Sequence, residues 1–186
     1  MNDEEKLTKI RALELWDKNL IENIEVGTFK GLQEIHRYLF QDVFDFAGEV
    51  RKVNISKGNF RFAPILFLTE NLKIIDKMKD EAFDEILDKY IEMNVAHPFR
   101  EGNGRSMRIW LDILLKQRLG KCVDWSKIDK FSYLSAMERS PVNSLELKFL
   151  LKTALTDDIQ NREVYMRGIQ ASYEYEGMSR YDIGDV

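Results

Sequence analysis

The sequence predicts a mainly α-helical fold carrying a single β-hairpin, and three observations predict it. Apolar residues recur at helical spacing through most of the chain. One stretch, Glu49 to Pro64, instead sets β-branched and aromatic residues around a Ser-Lys-Gly-Asn turn. The three prolines (Pro64, Pro98, Pro141) stand far apart, with no Gly/Ser linker, repeat or low-complexity tract, so one domain over residues 1–186 is expected.

Taken in order, Leu7, Ile10, Leu13, Trp16 and Leu20 form a first apolar stripe. Thr28 is a candidate N-cap, because its hydroxyl can accept from a free N–H of the first turn. Leu32, Ile35, Leu39 and Phe40 follow it as a second stripe, with His36 read as a core residue on the same helix. The hairpin, about residues 50–64, comes next. An isolated hairpin is marginal in water, so it is expected to rest on the helices.

Phe83, Ile86, Leu87, Tyr90 and Ile91 keep the i, i+3, i+4, i+7, i+8 rule and lead to His97. Pro98 disfavours helix at the residue before it, so that helix should end at His97. From Arg105 to Leu119 apolar residues surround the helix axis, which marks a central, buried helix. The basic run from Lys116 to Lys121 reads as its wet end. Asn143 with Glu146 resembles a capping box for a helix through Leu155. A last helix is expected from about Arg162 to Glu176, stopped by Gly177.

Composition narrows the function. The chain is 44% hydrophobic and 11% aromatic, enough to bury a core. A net charge of −4 argues against general nucleic-acid binding, which needs a basic face. A single cysteine, Cys122, rules out an internal disulfide or a cysteine-based zinc site and makes a reducing cytoplasm the default. The N-terminus is charged and lacks the apolar core of a signal peptide. No apolar run is long enough to cross a bilayer, so no membrane partner is expected.

The chemistry concentrates in "HPFREGNGRSMR", His97 to Arg108. Gly102 and Gly104 allow a tight path into a helix whose free N–H groups and partial positive charge suit phosphate. Asn103 adds a neutral donor. Arg105 and Arg108 are three apart, so both can project to one side, as suits a polyphosphate. Glu101 beside phosphates would be repulsive without a cation between them, which points to Mg²⁺. His97 can be neutral at cellular pH and take a proton from a hydroxyl. Phe99 is expected to anchor the loop in the core.

This stretch resembles the signature of the Fic family, His-x-Phe-x-(Asp/Glu)-Gly-Asn-Gly-Arg-x-x-Arg, with every fixed position matched by His97, Phe99, Glu101, Gly102, Asn103, Gly104, Arg105 and Arg108. The hairpin falls where that family carries its flap. The resemblance implies a Fic-type helical bundle and transfer of AMP from ATP to a hydroxyl of a target protein, or of the enzyme itself, with release of pyrophosphate. By residue, it implies His97 as the general base and Glu101 as the Mg²⁺ ligand. Gly102, Asn103 and Gly104 would cradle the phosphates, with Arg105 on the middle of the chain and Arg108 on the γ-phosphate. Ile55, Lys57, Gly58 and Phe60 of the flap would dock the target by strand addition. Kinase-like members replace Gly-Asn-Gly-Arg by Ala-Asn-Lys-Arg; this chain keeps both glycines, which favours AMP transfer.

A second stretch, "ASYEYEG" from Ala171 to Gly177, is similar to the inhibitory motif Ser-x-x-x-Glu-(Gly/Asn) that small single-domain (class III-like) members carry on their last helix. Ser172 and Glu176 lie four apart on one helical face. Glu176 reaching Arg108 would occupy the group meant for the γ-phosphate. Tyr173 is a candidate for self-modification that would loosen that helix. The resemblance also puts a type II topoisomerase subunit among the candidate targets. A homo-oligomer that steadies the last helix is compatible with the sequence. Two rival readings stay open: transfer of another phosphate-containing group, and a catalytically silent ATP-sensing module.

Overall fold

A computed structural model describes residues 3–186; Met1 and Asn2, at the start of the charged N-terminus, lie outside it. Among these residues the chain forms α1 (Glu4–Asp17), α2 (Phe29–Phe40), β1 (Ser56–Lys57), β2 (Phe60–Arg61), α3 (Ile65–Asp76), α4 (Phe83–Ala96), α5 (Asn103–Leu119), β3 (Cys122–Val123), α6 (Lys130–Arg139), α7 (Leu145–Thr153), β4 (Leu155–Thr156) and α8 (Arg162–Tyr175). The central helix is α5. It packs against α4, α2 and α8, and Met107, Trp110, Leu111, Leu114 and Leu115 on it are all essentially inaccessible. One buried cluster takes in residues from every helix.

Local chemistry accounts for most boundaries. Thr28 caps α2, its hydroxyl accepting from the Gly31 N–H at 3.2 Å. The carboxamide of Asn161 accepts from Glu163 N–H at 2.9 Å and starts α8. Gly177, at φ +75°, ends it as expected. The Tyr175 hydroxyl donates within hydrogen-bond distance of two carbonyls, Trp125 (2.8 Å) and Ile128 (2.7 Å), fastening the end of α8 to the body.

Several expectations are corrected. The face of α1 turned inward is Thr8, Lys9, Ala12 and Leu15, while Leu7, Ile10, Leu13 and Trp16 are only half-buried. Lys9 can be buried because Glu5 pairs with it at 2.8 Å and the Tyr181 carbonyl accepts from it. Leu20 falls beyond α1, in a short 3-10 turn, Leu20–Asn23. No capping box forms at α7. Asn143 accepts from Leu145 N–H at 3.1 Å, but Glu146 turns to Arg139 at 2.9 Å. The helix stops at Thr153, because Leu155 and Thr156 pair as a strand with Val123 and Cys122.

Two helices, α3 and α6, carry no clear stripe in the sequence. Only Leu68, Leu72 and Ile75 of α3 are buried, leaving Leu66, Phe67 and Ile74 outside. The start of α3 is capped from the hairpin, where the Asn54 carboxamide accepts from Ile65 N–H at 2.9 Å. The paired part of the hairpin is narrower than residues 50–64. Ser56 faces Arg61 and Lys57 faces Phe60, with Gly58 at φ +59° in the turn. Among the described residues the only helices of 14 residues or more are α1, α4, α5 and α8, and no helix is long and apolar enough to cross a membrane.

Candidate active site

The loop from His97 to Gly102 joins α4 to α5, and its own atoms lock it. His97 ends α4 in the left-handed region at φ +47°, its N–H bonded to Met93 O at 2.9 Å. Phe99 is fully buried and stacks on His36 at 3.8 Å between ring centres. Gly102 has φ +82°, and a Cβ there would sit 2.5 Å from the Phe40 ring, so both backbone and space call for glycine. The Asn103 carboxamide accepts from Phe99 N–H at 2.9 Å and donates to Phe99 O at 2.7 Å. Asn103 therefore braces the loop, where the sequence suggested a donor aimed at phosphate.

His97 presents one nitrogen for chemistry. Its Nδ1 lies 3.1 Å from Asn94 O, and because a carbonyl only accepts, Nδ1 carries the hydrogen. That leaves the Nε2 lone pair, which has no hydrogen-bond partner among the described residues. Phe62 of the hairpin stacks on the ring at 3.6 Å and 11°. Burial lowers the imidazole pKa to about 4, with Lys57 and Arg51 pushing the same way and the Asn94 carbonyl and Glu176 opposing. The ring is therefore neutral at cellular pH, as a base requires.

The two arginines do not share a grip. Arg108 is buried and held by α8: Nε donates to Ser172 Oγ at 2.7 Å, and Nη2 donates to Ser172 O at 2.9 Å and to Glu176 Oε1 at 2.7 Å. Arg105 is turned into the core beneath the motif. Its Nη2 pairs with Glu4 Oε1 of α1 at 2.8 Å, with Glu101 Oε1 at 3.8 Å, and its guanidinium lies over the Phe40 and Tyr173 rings. A cation so buried keeps its partner because an unpaired one is costly. The common polyphosphate grip read from their spacing is thus not formed. Arg105 Nε and Nη1 have no hydrogen-bond partner among the described residues.

Glu176 does more than neutralise Arg108. A Cβ on Gly104 would lie 2.5 Å from Glu176 Oε1 and 2.9 Å from Arg108 Nη1. The carboxylate thus rests on bare backbone at the first turn of α5, where an anion meets free N–H groups. Burial pushes the Glu176 pKa up, but Arg108, Lys57 and Arg105 more than reverse this, and the net shift is downward. Lys57 of the hairpin also approaches Glu176 at 3.9 Å. Tyr173, three residues before Glu176 on α8, is only 1% exposed, with its hydroxyl enclosed. With α8 placed as it is, that oxygen is closed to solvent, and modification of Tyr173 would require α8 to move first.

Of the remaining expected residues, Glu101 projects outward with 62% of its side chain exposed, and Lys57 and Gly58 are exposed on the hairpin while Ile55 and Phe60 are half-buried. No group of three or more His, Cys, Asp or Glu among the described residues could hold a metal by itself. A lone exposed carboxylate fits Mg²⁺ shared with phosphate oxygens, the usual arrangement for that ion. Sequence reasoning missed Glu4, Phe62 and Arg51. Phe62 was legible only as one aromatic of a hairpin. Glu4 and Arg51 gave no signal, because each looks like an ordinary surface charge until its distant partner is known.

A family model described as Fic/DOC matches residues 28–115. Three curated relatives carry names of protein adenylyltransferases. The Escherichia coli "Probable protein adenylyltransferase Fic" is 31% identical, over 61% of this chain and 62% of its own length. The Sinorhizobium fredii "Probable protein adenylyltransferase y4lH" is 30% identical, over 74% of this chain and 78% of its own. "Protein adenylyltransferase VbhT" of Bartonella schoenbuchensis is 31% identical over 83% of this chain, which matches only 34% of that longer protein. The chain thus spans less than two thirds of the first and third of these. Among solved structures, BepC of Bartonella tribocorum with bound AMPPNP superposes with a TM-score of 0.64 at 23% identity, covering 81% of this chain and 83% of that one. Fic-1 of C. elegans superposes at 0.56 and 20% identity, covering 94% and 51%. These likenesses extend the fold well beyond the matched motif.

Proposed function

The chain belongs to the Fic/DOC family, and from that premise we propose that it is a protein adenylyltransferase that transfers AMP from ATP to a hydroxyl of a target protein. The observation that carries this reading is the free Nε2 of a neutral His97 beside the glycine-lined start of α5. Nε2 takes the proton of the target hydroxyl as its oxygen attacks the α-phosphorus. The new O–P bond forms as the bond to the β-phosphate breaks, and pyrophosphate leaves. The Gly102–Gly104 turn and the first N–H groups of α5 receive phosphate oxygens. Glu101 would hold Mg²⁺ against those oxygens, and the ion would screen charge on the leaving pyrophosphate. The exposed Ser56–Lys57 edge of the hairpin offers backbone for a target segment to add as a strand.

In this reading Glu176 is a brake. It occupies Arg108 and the Gly104 backbone together, so the γ-phosphate of a productively bound ATP must displace it. A charge-assisted bond of this kind contributes about 1.5–3 kcal/mol, enough to hold transfer down by roughly tenfold or more while staying reversible.

The test uses ATP labelled in the α- or the γ-phosphate. Wild type, Glu176→Gly and Glu176→Gly/His97→Ala are each incubated with Mg²⁺ and a bacterial lysate. The expected result is protein-bound α-label with Glu176→Gly, much less with wild type and none with the double variant. Label arriving only from the γ-position would make the enzyme a kinase. ATP binding without transfer from either position would leave a nucleotide-sensing module.

A further inference from the structure

Arg51 lies just ahead of the hairpin and is only 5% exposed. Its guanidinium serves carbonyls from two separate segments. Nε donates to His97 O at 2.7 Å and Nη2 to Ala96 O at 3.0 Å, both at the end of α4. Nη1 donates to Val53 O at 2.9 Å and Nη2 also to Ala63 O, the two feet of the hairpin. Two backbone bonds run alongside, Arg51 N–H to Pro98 O and Ala63 N–H to Val95 O, each 2.9 Å.

No carboxylate among the described residues forms an ion pair with Arg51, although it is buried, and burial pulls its pKa down. A buried cation with no counter-ion is a poor way to stabilise a core. Its fork of donors is what the site uses, and a lysine, with a single point charge, cannot reach four carbonyls at once. The carbonyl that Nε holds belongs to His97, which with Asn19 is one of two non-glycine residues of positive φ among the described residues. That conformation is unfavourable for a side-chain-bearing residue and persists only when its surroundings enforce it. The stacked Phe62 ring reaches His97 from the same hairpin.

We propose that Arg51 is a positioning residue that fastens His97 and the feet of the hairpin into one unit, so that the base and the strand receiving the target keep a fixed relation. The proposal rests on His97 being the base. The charged groups facing the His97 ring are Lys57 and Arg51 from the hairpin side and Glu176 from α8. Removing Arg51 therefore removes a cation that opposes protonation of the ring as well as the fork that orients it.

The experiment follows histidine-selective ¹⁵N signals in the full chain, for wild type, Arg51→Met and Arg51→Lys. Turnover is measured in parallel in the Glu176→Gly background. In wild type His97 should show the single Nδ1–H tautomer. Arg51→Met should mix the tautomers and raise the titration midpoint of His97. Arg51→Lys should keep the midpoint low yet still mix the tautomers. Both should lose turnover by roughly tenfold or more with KM for ATP within about twofold, the pattern of an interaction used after ATP is bound. Unchanged His97 signals in both variants would overturn the proposal. If neither variant folds, amide exchange in wild type decides: Arg51, Ala63 and His97 should open as one cooperative unit, and separate rates would overturn it. Should Glu176→Gly itself show no transfer while the ¹⁵N signals shift as described, the positioning role stands and the adenylyltransferase reading falls.

Discussion

His36 is buried and His97 half-buried, each against a phenylalanine ring, and desolvation holds both imidazoles down at a pKa of about 4. Yet they sit in opposite kinds of place. His36 uses both nitrogens: Nδ1 accepts from Gly48 N–H at 2.9 Å and Nε2 donates to Glu101 O at 2.8 Å. It lies in the middle of α2, in ordinary helical backbone, and supports the Glu101 loop from behind. His97 uses one nitrogen, at a helix end held in a strained backbone, and leaves the other free. A depressed pKa is therefore no mark of a catalytic histidine. What separates the two is an unspent lone pair together with a backbone that something else must hold.

That comparison can be broken or sharpened experimentally. The largest expected effect is on turnover: His97→Ala in the Glu176→Gly background should lower transfer by about 10²–10⁴, the worth of a general base, with thermal unfolding nearly unmoved. Retained transfer would remove His97 from the chemistry and erase the contrast. His36→Ala should do the reverse. It should cost about 2–4 kcal/mol in denaturant unfolding, since it opens a cavity and strands the Gly48 N–H and the Glu101 carbonyl. A stable His36→Ala protein with no transfer would mean that His36, too, belongs to the reaction. Glu176→Gly alone should raise transfer by about tenfold or more, read as α-label incorporated per minute.

The smallest effects come with pH. The acid limb of kcat/KM, which reports the free enzyme, should fall at about pH 4 or below in Glu176→Gly, which lacks the carboxylate that raises the His97 pKa, and a limb near the ordinary histidine value of about 6.5 would show that burial does not govern His97. Stability should follow the same groups. Because the folded pKa of His36 lies below its unfolded value, the unfolded chain binds more protons in between. Its contribution is then complete above about pH 6.5 and is lost as pH falls toward about 4. Asp112 runs the other way. Burial raises it to about 6, so its share is present at low pH and lost as pH rises through that value. Denaturant titrations at pH 7 and pH 5 on wild type and Asp112→Asn separate the two contributions.

How much of this was legible depended on whether a residue's partner lay nearby in the chain. The α2 cap at Thr28, the end of α4 before Pro98, the central α5 and the stop at Gly177 are all local signals, and all appear. The reach of Glu176 to Arg108 came from the motif resemblance, and that contact is present in the fold, with Ser172 joining it unforeseen. What failed depended on distance. The spacing of Arg105 and Arg108 suggested a shared face, but Glu4, 101 residues away in the chain, draws Arg105 inward. Asn103 looked like a free donor because only the folded loop brings the Phe99 backbone to it. α3 was obscured because Ile65, Leu66 and Phe67 are apolar yet exposed, so its buried face lacks contrast.

In the proposed reading, Gly104 ties the control of transfer to the binding of substrate in a way that limits how the control can be lost. A Cβ there would meet Glu176 Oε1 at 2.5 Å and Arg108 Nη1 at 2.9 Å, both flexible tips that can move aside, so a side chain at position 104 would loosen the proposed brake and at the same time crowd the backbone proposed to receive phosphate. Escape from the proposed brake at that position would therefore also disturb phosphate binding, whereas escape across the interface, on α8, would not. Unregulated descendants of such a chain should therefore be recognisable by an altered Ser172 or Glu176 beside an intact glycine, the lock discarded and the keyhole preserved.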